Sequence, residues 1–236
     1  MSPRAMILAA GLGTRLRPLT DTTPKALLSF RGKTMLEHVV DHLAAHGITE
    51  VVINLHHHAD QVMDFLREHK YFGIDFRISD ERQQLMDTGG GMMHARKHLE
   101  GHGPFIVHNV DIYSDTNLSA MLNYHLENDA LATLAVSDRA TSRNLLIDGD
   151  GLLCGWRNNN TGEEIIARQK PGLHPVAFSG IHVADPGIFS YLQQEKPFSI
   201  TKAYLELAKK HRIITFDHTG DTWIDMAKPG NYSLDQ

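Results

Sequence analysis

Residues 5–25, AMILAAGLGTRLRPLTDTTPK, constrain this chain more than any other stretch. Ala5-Met6-Ile7-Leu8-Ala9-Ala10 is a short, uninterrupted apolar run, as a parallel strand buried on both faces requires. Gly11-Leu12-Gly13-Thr14-Arg15 follows at once. Two glycines separated by one residue let the backbone turn sharply and bring its N–H groups close to an anion. Arg15, Arg17 and Lys25 add side-chain charge for that anion within the same segment. A buried strand, a glycine turn and three cations in this order read as a polyphosphate site.

Two familiar phosphate loops do not fit. The dinucleotide fingerprint G-x-G-x-x-G needs glycine where Leu16 stands, and Pro18 falls where its long helix should be running. The P-loop string G-x-x-x-x-G-K-[ST] is absent. G-x-G alone is more often an ordinary turn than a ligand site. The full string L-A-A-G-x-G-T-R-x-x-P-x-T-x-x-x-P-K, from Leu8 to Lys25, is far more restrictive. It resembles the signature of the sugar-1-phosphate nucleotidyltransferases, the nucleoside-diphosphate-sugar pyrophosphorylases.

Charge sharpens the reading of this segment. The chain of 236 residues carries a formal net charge of −5, which argues against general nucleic-acid binding. Residues 1–33 hold Arg4, Arg15, Arg17, Lys25, Arg31 and Lys33 against Asp21 alone, so positive charge gathers around the glycine loop and can focus a polyanion. No apolar run approaches membrane-spanning length, and the N-terminus runs directly into a core strand, so neither a membrane partner nor a signal peptide is expected. The single cysteine, Cys154, excludes an internal disulfide and fits a reducing, cytoplasmic setting. It reads as a half-buried strand residue.

Further along, strand and helix patterns alternate. Leu27–Phe30 looks extended and ends in the Arg31-Gly32-Lys33 turn; Met35, Leu36, Val39, Val40 and Leu43 recur with a helical period, closed by Gly47. Val51–Leu55 is a strand. Three adjacent histidines, His56–His58, cannot all face one metal from a strand end and read as a solvated loop. A helix over 59–68 and a strand over 75–79 lead to Glu81-Arg82-Gln83-Gln84-Leu85-Met86-Asp87-Thr88-Gly89-Gly90-Gly91. Three glycines at a helix start permit close backbone approach to a flat or charged ligand, with the helix running from Met92 to Leu99. Phe105–His108 is a further parallel-type strand, and Asp111 emerges from its carboxyl end, where open α/β sheets place ligands.

A helix over 118–127 and a strand over 131–136 follow. From Ser142 the pattern turns β-rich: Leu145–Asp148, the Asp150-Gly151 turn and Leu152–Trp156 read as a hairpin. A strand over 176–183, helices over 186–192 and 201–210, a strand over 213–216 and a last helix from Pro229 complete the chain. No repeat, linker or low-complexity segment divides it. The expectation is one domain over 1–236, with about 142–175 as an insertion on the acceptor side.

The resemblance covers almost the whole chain and implies an α/β fold of nucleotide-diphospho-sugar transferase type: a Rossmann-like, mostly parallel sheet sandwiched by helices, with a small β-rich acceptor lobe. It implies that Leu8, Ala9, Ala10, Gly11, Gly13 and Thr14 cradle the nucleotide. It also implies that the segment carrying Glu81, Thr88, Gly89 and Gly90 lies against base and ribose. Asp111 resembles the family's magnesium-binding Asp, although Val110 stands where glycine is usual. Trp223-Ile224-Asp225 resembles W-x-D-x-G, with Ala227 at the usual glycine. Gln169-Lys170-Pro171 resembles E-K-P with its Glu replaced, which leaves Lys170 as either a sugar-phosphate ligand or a surface cation. Phe178-Ser179-Gly180-Ile181 resembles the acceptor-side strand of N-acetylmuramate-1-phosphate uridylyltransferases, with Ser179 and Gly180 near the sugar phosphate.

The implied reaction is attack of a sugar 1-phosphate on the α-phosphorus of a nucleoside triphosphate. Arg15, Lys25 and Asp111 are the expected catalytic groups, and Asp111 and Asp225 the expected ligands of a Mg²⁺ cofactor. UTP with an amino-sugar 1-phosphate such as N-acetylmuramate 1-phosphate is the expected pair. Guanylyl or cytidylyl transfer to another phosphorylated acceptor stands beside it, as does a non-catalytic nucleotide-sugar sensor favoured by Val110 and Ala227. Oligomeric state is not legible.

Overall fold

The computed structural model describes residues 3–101, 103–192 and 196–232; the outermost residues of the expected domain, 1–2 and 233–236, lie outside them. β1 (Arg4–Leu8) forms where the apolar run predicts and is buried throughout. Ala5 and Ile7 face one apolar layer while Met6 and Leu8 face the other. Three single 3₁₀ turns and a small hairpin, β2 (Ser29–Phe30) with β3 (Lys33–Thr34), lead to α1 (Met35–Ala45). A capping box starts α1: Thr34 Oγ1 accepts from the Glu37 N–H at 3.1 Å, and the Glu37 carboxylate accepts from the Thr34 N–H at 2.7 Å. Such a cap contributes about 1 kcal/mol. β4 (Glu50–Leu55), α2 (Ala59–Glu68) and β5 (Asp75–Asp80) follow within a residue of their expected bounds.

The next helix departs from expectation. α3 (Asp87–His94) begins five residues before Met92 and contains all three glycines, and a separate single turn, α4 (Arg96–Leu99), completes the segment. Glycine costs a helix about 1 kcal/mol per residue relative to alanine, so periodicity argues against a helix here. Packing overrides it. A Cβ on Gly89 would overlap the Phe198 ring, one on Gly90 would meet the Lys196 carbonyl at 2.8 Å, and one on Gly91 would meet the Glu81 carboxylate at 2.8 Å.

β6 (Phe105–Asn109), β7 (Ile112–Ser114), α5 (Leu118–Glu127) and β8 (Ala132–Ser137) come next. The antiparallel strands β9 (Arg143–Ile147), β10 (Leu153–Asn158) and β11 (Glu164–Ile166) form the β-rich segment. β12 (His174–Ala184), α6 (Ile200–Ala208), β13 (Ile213–Asp217), β14 (Trp223–Asp225) and a last turn, α7 (Pro229–Tyr232), finish the described chain.

The central sheet runs β5-β4-β1-β6-β12-β8-β13, parallel from β5 to β6 and again between β8 and β13, with β12 antiparallel to both neighbours. The fold is therefore the expected helix-covered, mostly parallel sheet. α1, α2 and α5 cover one face, and α3, α4 and α6 the other. β12 changes partners at Gly180, whose φ of +75° only glycine adopts readily. Beyond that point Ile181–Ala184 pair with β6, whereas His174–Val176 pair with β9. The β-rich lobe therefore continues past the carboxyl end of β6. No helix among the described residues is long and apolar enough to cross a membrane.

Candidate active site

A cluster of four charged side chains forms at the carboxyl edge of the sheet. Asp111 leaves the end of β6, and Asp225 ends β14, a strand the sequence pattern shows only as the tripeptide Trp223-Ile224-Asp225. β14 pairs antiparallel with β7, Asp225 opposite Ile112, and the Met226 N–H donates to the Asp111 carbonyl at 2.8 Å. This two-stranded ladder brings together two carboxylates more than a hundred residues apart in sequence. Arg15 spans them: Nη1 donates to Asp225 Oδ2 at 2.7 Å and Nη2 to Asp111 Oδ2 at 3.3 Å. Lys25 Nζ donates to the same Asp111 oxygen at 2.9 Å. Burial alone would push the Asp111 carboxyl up, but Lys25 and then Arg15 outweigh it and hold the group below the usual carboxylate range. Burial pulls the Arg15 guanidinium down; its bonds to Asp225 and the charge of Asp111 more than reverse that.

One guanidinium filling the gap between two carboxylates marks a place where negative charge needs a cation. The donors are hard oxygens. No group of three or more His, Cys, Asp or Glu gathers as a metal cage among the described residues. Mg²⁺ uses one or two carboxylates and takes its remaining ligands from phosphate oxygens and water, so Asp111 and Asp225 fit that ion arriving with a phosphorylated ligand.

The glycine loop arches over Lys25. An ideal Cβ on Gly11 would stand 3.5 Å from Lys25 Nζ, and one on Gly13 would stand 2.7 Å from Thr20 Cγ2. Gly13 also has a φ of +63°, so both conformation and space require glycine there. Leu8, Ala9 and Ala10 are buried beneath the loop, while Gly11, Thr14 and Arg15 face outward. Arg17 differs from expectation: it pairs with exposed Asp21 at 3.3 Å rather than joining the cluster, because the 3₁₀ turns after Thr14 carry it to the surface.

Asn54, which the sequence reading passed over, ties this loop to Glu81. The Ala9 N–H donates to Asn54 Oδ1 at 2.8 Å, and Asn54 Nδ2 donates to Glu81 Oε1 at 2.7 Å. Glu81 Oε2 accepts from the Met86 N–H at 3.1 Å. Both side chains are buried, and burial pushes the Glu81 carboxyl up against the opposing pull of these bonds. A signal existed: an asparagine inside the otherwise apolar strand Val51-Val52-Ile53-Asn54-Leu55.

Thr88, Gly89 and Gly90 occupy the start of α3, as far as sequence position goes, but their polar groups already have protein partners. Gly89 and Gly90 donate to the Phe198 carbonyl at 2.9 and 3.3 Å, and Thr88 Oγ1 accepts from the Ile200 N–H at 2.9 Å. The close approach that these glycines permit is thus to the segment 196–200.

On the β12 side, Ser179 and Gly180 sit beside the end of β6; a Cβ on Gly180 would lie 2.8 Å from Asn109 Nδ2. Ser179 is buried and shares a 2.6 Å hydrogen bond with His218 Nε2, and its carbonyl accepts from Trp223 Nε1 at 2.9 Å. Lys170 is not brought into the cluster. Its Nζ lies 4.0 Å from Asp148 Oδ2, in the turn that follows β9 and packs on β13, and its side chain is 46% exposed. Val110, at the usual glycine, is fully buried in the core, and its N–H donates to the Leu8 carbonyl at 3.1 Å. Ala227 is buried too, and its N–H donates to Asp225 Oδ1 at 3.0 Å.

One cavity opens on the cluster and a second adjoins it. One, of about 660 Å³, lies against Asp225 and is lined by Arg15, Arg31, Arg139, Trp223 and Lys228 among others. The other, of about 700 Å³, lies over the β-rich lobe, with Trp156 and Phe178 as its aromatic surfaces and Arg143, Asn158 and Glu163 at its polar positions. Thr141 lines both.

Comparison with known proteins gives the family and the fold. Residues 4–232 match the family described as Nucleotidyl transferase. The N-acetylmuramate alpha-1-phosphate uridylyltransferase of Caulobacter vibrioides is 33% identical, covering 95% of this chain and 92% of its own length. The mannose-1-phosphate guanyltransferase of Schizosaccharomyces pombe is 28% identical across 97% of this chain, which spans 62% of that longer protein. Among solved structures, HddC from Yersinia pseudotuberculosis has a TM-score of 0.79 at 23% identity, covering 99% of this chain and 97% of its own. UDP-glucose pyrophosphorylase in complex with UDP-glucose has a TM-score of 0.78 at 19% identity, covering 98% and 96%. The two structural likenesses bear on the fold.

Proposed function

The chain belongs to the nucleotidyl transferase family and is a nucleotidyltransferase, and on that premise we propose that it moves a uridylyl group from UTP to an amino-sugar 1-phosphate such as N-acetylmuramate 1-phosphate. The observation that carries this reading is the Arg15–Lys25–Asp111–Asp225 cluster beneath a glycine loop. The choice of uridine and amino sugar rests on the 33% identity to the Caulobacter vibrioides enzyme over nearly the full length of both chains. The product would be a nucleotide sugar, and the lobe over 142–175 would receive the acceptor.

The acceptor phosphate is already an anion at neutral pH, so an oxygen of it can attack the α-phosphorus without a general base. One P–O bond forms, the bond to the β-phosphate oxygen breaks, and pyrophosphate leaves with the electron pair. Catalysis then consists of positioning and of neutralising charge that shifts towards the leaving group. Lys25, held under Gly11 and against Asp111, would face the α-phosphate; Arg15, the exposed member of the cluster, would swing to the leaving pyrophosphate. Asp111 and Asp225 would hold Mg²⁺, which supplies further charge neutralisation when bound. The Asn54–Glu81 pair fixes the backbone at Ala9, and with it the entry of the loop.

Retention of all four charged groups speaks against a sensor that has lost turnover. The burial of Val110 and Ala227 gives both departures a structural reason without removing a charged group. Pyrophosphate release measured over a matrix of four nucleoside triphosphates and several sugar 1-phosphates tests the proposal. The expected result is the highest kcat/KM for UTP with an amino-sugar 1-phosphate, since a lost buried hydrogen bond penalises the wrong base. Equal turnover of all triphosphates, or a clear preference for GTP or CTP, overturns it.

A further inference from the structure

Lys170, expected as the sugar-phosphate lysine, lies beside Asp148 and lines neither of the two cavities, which leaves room for another partner of the acceptor phosphate. The cavity against Asp225 offers one. Its walls contribute Arg15, Arg31, Arg139 and Lys228 against Asp225 as the single acid, and Arg15 already spans Asp225 and Asp111. Such an excess of positive charge in a partly enclosed space is a site for an anion.

Arg139 is the best prepared of these cations. Its guanidinium carbon lies 3.6 Å from the centre of the Trp223 ring, and its Nη2 donates to the Phe178 carbonyl at 2.6 Å. Trp223 is itself fixed through Nε1 to the Ser179 carbonyl, and Ser179 through its hydroxyl to His218. Nε of Arg139 is buried without a hydrogen-bond partner, and Nη1 donates to no described residue. A guanidinium held flat on an indole, with Nη1 unspent and no carboxylate paired to it, is pre-organised to donate to a phosphate oxygen. Lys228 adds a second cation with no ion pair among the described residues.

We propose that Arg139, assisted by Lys228, binds the phosphate of the sugar 1-phosphate while that phosphate attacks. The assignment deepens the proposed function and rests on it. Arg139 neutralises the two acceptor oxygens that do not react, leaving the third to form the bond to the α-phosphorus; no proton or electron is exchanged with the protein. The position suits the acceptor. Thr141 and Ser142 in the cavity wall lead straight into β9, and Thr141 is shared with the aromatic cavity over the lobe, whereas Leu8–Thr14 take no part in the lining. The rival occupant is the triphosphate tail, because Arg15 is common to both.

The test compares wild type with Arg139→Ala, Arg139→Lys and Lys228→Ala, in turnover and in calorimetric binding of sugar 1-phosphates to enzyme holding Mg²⁺ and a non-hydrolysable UTP analogue. Loss of a charge-assisted hydrogen bond predicts an acceptor KM raised roughly 10- to 100-fold in Arg139→Ala. The effect should be similar for N-acetylmuramate, N-acetylglucosamine and mannose 1-phosphates, with partial recovery in Arg139→Lys. The KM for UTP and inhibition by pyrophosphate should stay within about twofold. A shift in UTP KM or in pyrophosphate inhibition instead assigns the cavity to the triphosphate and overturns the proposal. An effect confined to the carboxylated muramate acceptor also overturns it, since the phosphate is common to all three. Wild type that turns over a sugar 1-phosphate while the three variants keep its KM defeats this assignment alone. Wild type that neither binds nor uses any sugar 1-phosphate defeats the proposed function, and this assignment with it.

Discussion

The buried histidines make stability fall steeply below neutral pH, by an amount that can be worked out. His108 and His182 are fully buried and pushed down to about 3, chiefly by burial, and His125 to about 4 for the same reason. Each folded value lies below the unfolded value of about 6.5. The unfolded chain therefore takes up protons that the folded one refuses. The stability these neutral histidines permit is present in full above about pH 6.5 and is lost as pH falls towards the folded values. At pH 5 each unfolded histidine is protonated with a gain of about 2 kcal/mol, so the three together remove about 6 kcal/mol between pH 8 and pH 5. Asp111, whose pKa is lowered, titrates below this window.

His182→Leu isolates one contribution. Both ring nitrogens of His182 lack a hydrogen-bond partner, and the ring packs between Phe178 and Tyr204, so leucine forfeits no bond and enters an apolar setting. Urea unfolding at pH 8, 7, 6 and 5 should show a variant at least as stable as wild type at pH 8, with a fall to pH 5 that is smaller by about 2 kcal/mol. An identical fall in variant and wild type would mean that His182 is not held neutral by burial, and would refute the account.

Four substitutions probe the remaining claims. Gly89→Ala should cost about 2 kcal/mol by forcing Phe198 off α3, and become neutral or slightly stabilising when Phe198 is also alanine; an undiminished cost in the double variant, read by denaturant unfolding, counts against the packing explanation. Lys25→Ala should lower kcat by roughly 100-fold in a folded protein; a variant unfolded at ambient temperature by circular dichroism would make Lys25 structural instead. Asp111→Asn and Asp225→Asn should each nearly abolish pyrophosphate release, and the double variant should be little worse than either, as for groups acting as a unit. Multiplying losses would separate the two carboxylates.

Local patterns carried much of this fold. The apolar run at residues 5–10, the helical period from Met35 to Leu43 and the bounds of the helices at 59–68 and 118–127 follow from periodicity and capping, which are local in sequence. What escaped depends on distant partners. The start of α3 at Asp87 is decided by Phe198 and Glu81, which make glycine favourable inside a helix, and no window of the sequence contains all three. The β7–β14 ladder joins two short strands more than a hundred residues apart, so neither has a pattern of its own. The resemblance paired Asp111 with Asp225 as ligands of one metal ion, but nothing local in the sequence showed the guanidinium that spans both carboxylates. Lys170 shows the converse: a tripeptide match carries no information about where the fold places the residue, here beside Asp148.

The central claim is transfer of a nucleotidyl group to a phosphorylated sugar, and labelled substrate tests it most directly. Enzyme supplied with UTP carrying ³²P at the α-position, Mg²⁺ and N-acetylmuramate 1-phosphate should convert the label into UDP-sugar, with one pyrophosphate released for each molecule formed and none released without acceptor. Label recovered only as UMP, release of orthophosphate, or turnover indifferent to the sugar phosphate would contradict it.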